Sequence, residues 1–569
     1  MHVDLIVRNA NILTMDPRRP RARELAVLAG QVVAVDDVTG VSADRIVDVE
    51  GATLTPGFGD AHNHMAWYGL AISELDLSEV HDLAELHQRV GERANRLSAD
   101  AFVVGSGYDD NLLGGHPHRL DLDRVAGGRP VWLKHRSGHM CSVNTETLRR
   151  TGVLDGTVPV PEGGVVVRDG DGQPTGLLEE QAQHLVVSLV TPYSLEQLTS
   201  AVSQASRRYA AQGLTHVTEA GISAGWLGKS PIELAAYQAA LRQEALDVRV
   251  QLMPTIDALH PLRSHPHDAM RLGLDLGICS GFGDDRLRIG PVKMWLDGSL
   301  LGRTAAMSEP FCGHDQRRGY FQGDPDALRQ ALIAAHVSGW RVAAHAIGDR
   351  AVDLALDAFE EARSKDPRPD ARHRIEHAGV TRADQVNRMA RLGVTPLPQM
   401  RFLHDIGDSM IAAVGPDRVD WLYRHMSLLR AGLRVPGSSD RPVADGAPLA
   451  GIESMVRRQT SSGRVIGPNE RVDVMTALRA YTVDAAWIAG EEQRRGALAP
   501  GMLADFVVLG DDITAVDSDR IAATEVVTTF LGGLCTHGGA RLNLTPQGHA
   551  SSRSAGRPTS WPELRSPGS

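Results

Sequence analysis

Lysine is almost missing from this chain: Lys134, Lys229, Lys293 and Lys365 are all there is, so 55 of the 59 basic residues are arginine. Cysteine is as scarce. Four residues, Cys141, Cys279, Cys312 and Cys535, are spread over 569 positions. That excludes a disulfide scaffold or a zinc–thiolate module and suits a reducing compartment. Aromatic residues make up 4%, too few for a site dominated by stacked platforms for sugars or bases. No uncharged apolar run reaches the roughly 18–20 residues of a membrane helix. The start, Met1-His-Val-Asp-Leu-Ile-Val-Arg-Asn, lacks a basic segment followed by an apolar one. A cytoplasmic protein with no membrane partner is the expectation. The net charge of −11 argues against nonspecific nucleic-acid binding, which needs cations to neutralise phosphates.

What remains is an ordinary globular composition, 42% hydrophobic and 23% charged, organised in three parts. Short strands bounded by turn signals are expected at 3–7, 26–28, 32–36 and 45–48, and another at 505–509. Strands at both ends suggest a composite β-sandwich from residues 1–56 and 491–544. Between them, 57–490 alternates apolar runs with amphipathic stretches such as 328–336 and 351–363. The runs are 54–60, 214–218, 248–253, 287–295, 342–346, 373–377, 394–398 and 433–437. Eight strand–helix units point to an α/β fold, a (β/α)₈ TIM barrel, with a doubly wound open sheet as the alternative. About 150 residues separate the first run from the second, so an insertion at about 66–210 is expected, shaping the substrate pocket. The Ser-, Pro-, Gly- and Arg-rich stretch 545–569 reads as a disordered tail.

Chemistry concentrates at the ends of these strands. In Pro56-Gly-Phe-Gly-Asp-Ala-His62-Asn-His64, residues i and i+2 point to one side, so His62 and His64 can reach one ion. Taken alone, such a pair is more often structural or incidental. Lys293 sits inside an apolar strand, in Ile289-Gly-Pro-Val-Lys293-Met-Trp-Leu-Asp297. One reading is a salt-bridged or snorkelling lysine. The other is a neutral amine that reacts with CO₂ to give an anionic carbamate able to bridge two metals. His345 and His377 each end a strand, followed closely by Gly348 and Gly379. Asp440 ends the last strand and is either a helix cap or a proton carrier. Together, four imidazoles, a carbamate and a carboxylate suit two divalent ions, with zinc the expected metal. The expected reaction is attack by a metal-bridging hydroxide, with Asp440 as general base and then acid. Gly138, His139, Asn144, Asp297, Gly298 and Arg303 are expected to border the pocket. His139, Asn144, Asp297 and Arg303 are the substrate-binding candidates, though an ion pair within its loop is the competing role for Arg303. His216 reads as core or supporting.

These motifs, together with Leu5-Ile-Val-Arg-Asn-Ala-Asn, Gly138-His-Met-Cys-Ser-Val-Asn144, Gly176-Leu-Leu-Glu-Glu180 and Gly496-Ala-Leu-Ala-Pro-Gly-Met-Leu-Ala-Asp505, resemble the amidohydrolase superfamily. Within it they resemble family 3, the YtcJ-like group that includes N-substituted formamide deformylase. The similarity spans about residues 3–535. It departs from the family pattern at Gly59, usually a branched apolar residue, and at Asn63. The resemblance implies a TIM barrel with a terminal β-sandwich. It also implies metal and catalytic roles for His62, His64, carboxylated Lys293, His345, His377 and Asp440. The expected activity is hydrolysis of the C–N bond of an N-acyl or N-formyl amine, a carbon–nitrogen bond other than a peptide bond. An ester, lactam or cyclic imide is the alternative substrate. A non-catalytic barrel acting as a binding protein is the alternative of another class. A small-molecule amide is the expected partner, and a homodimer is left open.

Overall fold

The computed structural model describes residues 1–135, 140–161, 164–223, 228–265 and 267–539. Its centre is parallel β-structure. The strands are β1 (Phe58–Asn63), β2 (Leu214–Ile222), β3 (Arg249–Pro254), β4 (Leu287–Ile289), β5 (Val292–Trp295), β6 (Val342–Ala346), β7 (Arg374–His377) and β8 (Thr395–Leu397). They form two open four-stranded parallel sheets, ordered β4-β3-β2-β1 and β5-β6-β7-β8. Among the described residues no sheet closes into a barrel.

Three expected strands divide or dissolve, each for a local reason. The run 54–60 breaks at Gly57. Thr53–Pro56 pairs antiparallel with Phe506–Leu509, and β1 joins the parallel sheet. A Cβ at Gly57 would lie 2.2 Å from Thr215 Cγ2, so only glycine allows the chain to cross here. The run 287–295 breaks at Gly290-Pro291 into β4 and β5, because proline has no N–H for the ladder. A parallel bridge between Thr255 and Lys293 spans the gap. The run 433–437 forms no strand. It touches β1 through Ala61 N–H to Gly437 O (3.0 Å), and the chain after it through Asp440 N–H to His62 O (2.7 Å). On its other side, Pro396 and Pro398 offer no donors. There the Gln399 side chain fills in, donating to Ser438 Oγ at 3.2 Å and to Leu397 O at 2.8 Å.

Strands from both ends of the chain share one six-stranded sheet, in the order Leu534–His537, Val526–Leu531, Phe506–Leu509, Thr53–Pro56, Asn11–Leu13 and Arg21–Ala22. It packs on a second sheet of N-terminal strands through Leu5, Val27, Leu54, Phe506 and Phe530. The buried Arg249 guanidinium on β3 binds both oxygens of Asp505, at 2.8 and 2.9 Å, tying this layer to the centre. The long connection between β1 and β2 builds a further six-stranded sheet, from Leu75–Asp76 to Pro174–Glu180 and Gly164–Arg168. It ends in the helix Leu195–Ala210, started by a Ser194/Gln197 capping box. The expected helical stretches 328–336 and 351–363 lie inside helices Pro325–Val337 and Asp349–Lys365. No helix among the described residues is long and apolar enough to cross a membrane. The tail expectation for 545–569 lies outside the described residues, as does His139.

One buried pair makes the fold acid-sensitive. Val342 N–H donates to His373 Nδ1 (3.1 Å), so His373 Nε2 carries the proton donated to His336 Nδ1 (2.7 Å). His336 Nε2–H in turn donates to Asp366 O at 2.8 Å. Arg368 also donates to His336 Nδ1 at 2.7 Å. Burial, with His336, Arg368 and Arg341 adding to it, holds His373 well below the usual histidine range; burial also lowers His336. Both are therefore neutral when folded, whereas the unfolded chain takes up protons below pH ~6.5. Stability from this pair is intact above that pH and falls as the pH drops below it, by roughly 1.4 kcal/mol per proton per pH unit. Thermal melts between pH 7 and 5 are expected to show this loss, with a shallower slope in His373→Phe.

Candidate metal centre

The carboxyl ends of β1, β6 and β7 and the segment after 437 bring His62, His64, His345, His377 and Asp440 to one buried patch, with Lys293 on β5 beside them. Parallel strands feeding one edge explain this, because each strand delivers its last inward side chain to the same end. Asp440 Oδ1 lies 3.2 Å from His62 Nε2 and 2.9 Å from His64 Nε2. These three side chains offer donor atoms within 4.8 Å of one another. The His62 and His377 ring centres are 5.2 Å apart, and those of His377 and His345 4.5 Å. The Lys293 ammonium sits 5.3 Å from the centre of the Trp295 ring.

Supporting groups fix how the rings face. His62 Nδ1 bonds Glu376, itself gripped by the Arg374 guanidinium, which also donates to Ala61 O at 2.6 Å. His377 Nδ1–H donates to Gln399 Oε1 at 2.7 Å. His345 Nε2–H donates to Gly298 O at 3.0 Å. Each of these three imidazoles therefore turns its remaining nitrogen, with a lone pair, away from its anchor. Glu219 Oε1 lies 3.6 Å from His64 Nδ1, while its Oε2 accepts Ala66 N–H (3.0 Å) and Tyr237 O–H (2.5 Å). Asp60 accepts His62 N–H at 3.1 Å and also holds Ser439. His377, Ala378 and Asp440 have φ of +72°, +43° and +57°. Such backbone strain in non-glycine residues persists where surrounding structure enforces it, often at functional sites.

Charge follows the geometry. Burial, joined by His377 and Lys293, drives His345 far below the usual range, and burial brings His377 down to about 3. For His64, burial is outweighed by Asp440 and Glu219, which hold it above the usual value. Asp440 is buried, which opposes ionisation, yet His62 and His64 hold it well below the usual carboxylate range. Burial brings Lys293 down to about 8, so free amine is available near neutral pH. The neutral imidazoles of His345 and His377, the ionised Asp440 carboxylate, and His62 Nε2, buried beside Asp440 without an aligned hydrogen bond, form a donor set that fits divalent cations.

The sequence-named pocket residues fare differently. Asp297 is buried and accepts the N–H groups of Ala306, Ile347 and Gly348 at 2.8–3.0 Å, with His345 Nε2 3.5 Å away. It joins two loops beneath His345. Asn144 departs from its expected role. It caps helix Thr145–Arg150, accepting Thr147 N–H (3.1 Å) and Val131 N–H (3.0 Å) and donating to Arg129 O (2.9 Å). Arg303 forms no ion pair among the described residues, and its Nε is buried without a hydrogen-bond partner. His216 stays in the core, with Gly59 so close that a Cβ there would lie 3.3 Å from its Nδ1. Sequence reasoning gave no role to Glu219, Glu376 or Gln399. Glu376 lies inside the run 373–377, and Gln399 and Glu219 each stand one residue beyond an expected run, at the strand ends where the histidines were sought.

A family model described as the amidohydrolase family matches residues 45–537. The chain is 31% identical over 492 residues to the YtcJ protein of Bacillus subtilis (strain 168), covering 86% of this chain and 89% of that one. It is 27% identical over 547 residues to N-substituted formamide deformylase of Arthrobacter pascens, covering 93% and 98%. Among solved structures it is similar to an uncharacterized metal-dependent hydrolase from Pyrococcus horikoshii OT3, with 25% identity, a TM-score of 0.74 and coverage of 91% and 99%.

Proposed function

The chain belongs to the amidohydrolase family, and on that premise we propose that it hydrolyses the C–N bond of an N-formyl or N-acyl amine. His62, His64, His345, His377, Asp440 and a Lys293 carbamate would hold two divalent ions, zinc by preference. The convergence of these side chains carries the reading, because three of the four imidazoles are anchored by their outer nitrogen. When bound, divalent ions acidify water and polarise a carbonyl oxygen. Lys293 contributes by adding its free amine to CO₂, forming the N–C bond and releasing one proton. Asp440 Oδ1 takes the proton from the attacking water and delivers it to the nitrogen of the departing amine. We read the two parallel sheets as the halves of a (β/α)₈ barrel, supported by the Thr255–Lys293 bridge and the Ala61–Gly437 hydrogen bond. The sheets at the ends are read as a composite sandwich of residues 1–56 and 491–544.

The test is turnover by zinc- and bicarbonate-supplied protein on N-formyl, N-acetyl and cyclic amides with varied N-substituents. Release of free amine is expected. Turnover of cyclic imides or esters alone would overturn the amide assignment. Glu219→Gln is expected to weaken zinc binding about 10- to 100-fold, as loss of a partner behind a metal-binding histidine does. A competition titration with a chelating dye measures this.

A further inference from the structure

Three of the four lysines are accounted for. Lys293 lies in the site, Lys365 pairs with Glu361 one helical turn away at 2.8 Å, and Lys134 pairs with Glu74. Lys229 is the exception. It follows β2 at the site's end of the sheet and is fixed by its backbone, its N–H donating to Glu233 Oε2 (2.9 Å) and its carbonyl accepting Tyr193 N–H (3.0 Å). Its ammonium lies 5.5 Å from the centre of the Trp67 ring, and that ring is 5.7 Å from His64.

Among the described residues, this half-buried ammonium has no hydrogen bond and no carboxylate close enough for an ion pair; it stands over the Trp67 ring, with Glu233, Glu219 and Glu74 acting on it from longer range. The carboxylates around it each have another partner. Glu233 Oε2 accepts Lys229's own N–H and that of Ser223. Glu219 Oε2 holds Ala66 and Tyr237, and Glu74 holds Lys134. Burial, reinforced by Glu219, pushes the Glu233 carboxyl up against the pull of the Lys229 and Ser223 N–H groups and the Lys229 charge. Withdrawing a cation from water without a partner is costly, and a cation–π contact returns only about 0.5–2 kcal/mol. An anionic group arriving from solution would supply what the fold leaves out.

We propose that Lys229 binds a carboxylate on the substrate, so that the enzyme acts on amides that carry an acid group beside the scissile bond, such as N-acyl or N-formyl amino acids. The Trp67 face would pack along the same substrate, between the carboxylate and the site at His64. The proposal rests on the hydrolase reading above and names its substrate class.

The test compares N-formylphenylglycine with N-benzylformamide, which differ by one carboxylate. The wild type is expected to favour the acid by roughly 10- to 100-fold in kcat/KM, the range of a charge-assisted hydrogen bond. In Lys229→Met the ratio should fall to about one, and Lys229→Arg should retain the preference. Calorimetric binding of phenylacetate adds a readout independent of turnover: it should weaken at least tenfold in Lys229→Met. The Tm of Lys229→Met should not fall, because no folded-state ion pair is lost, whereas a structural role would lower it. Equal preference for the two amides, or phenylacetate binding that is absent in the wild type or unchanged in Lys229→Met, would overturn the proposal. If phenylacetate binding depends on Lys229 but neither amide is cleaved, the anion subsite stands and the hydrolase reading fails.

Discussion

Asp440→Asn is expected to lower kcat by about 10³- to 10⁴-fold, at the upper end of what a positioned acid–base group contributes. On the proposed path this carboxylate exchanges protons through one oxygen. Oδ1 lies 2.9 and 3.2 Å from two imidazole nitrogens, and although burial opposes ionisation, His62 and His64 keep it charged. Asparagine preserves shape and tolerates the φ of +57° that Asp440 adopts. The loss should therefore fall on chemistry rather than folding, with Tm moving by only a few degrees. Asn can neither accept the proton from water nor return it to the leaving nitrogen. A kcat within tenfold of wild type would remove Asp440 from the proton path.

Lys293→Met is expected to be as severe, at least 10³-fold in kcat, with a separate spectroscopic signature. Lys293 is buried and lies on β5 against Trp295. Methionine keeps the aliphatic volume and removes a cation that burial already disfavours, so the variant should fold at least as well as wild type. What it cannot do is add to CO₂. Protein equilibrated with ¹³C-bicarbonate should give a carbamate resonance that Lys293→Met lacks. Wild-type protein stripped of CO₂ at mildly acid pH should regain activity on adding bicarbonate. A fully active Lys293→Met, or no carbamate signal in active wild type, would remove the carbamate from the site.

The convergence of the proposed donor residues was legible because strand ends are legible. His62, His64, His345, His377 and Asp440 each follow an apolar run, and near-absence of lysine made Lys293 conspicuous. The connectivity was less so. Gly57 and Gly290-Pro291 look like parts of strands, but one admits a crossing that a Cβ would block and the other interrupts the ladder. Pro396 and Pro398 explain why the segment after Leu433 lies near β1 without becoming a strand. Glu219 was missed by one residue: the run 214–218 stops short of a strand that continues to Ile222. Asn144 shows the opposite failure. Its place in a family motif suggested substrate, but the Asn–Thr–Glu–Thr sequence is also a helix start, and the structure uses it as one.

Elemental analysis of purified, zinc-supplied protein tests the central claim most directly. About two divalent ions per chain are expected in the wild type, and no more than one in the His62→Ala/His64→Ala variant. A folded wild-type protein carrying no stoichiometric metal, or one whose metal survives loss of both histidines, would contradict it.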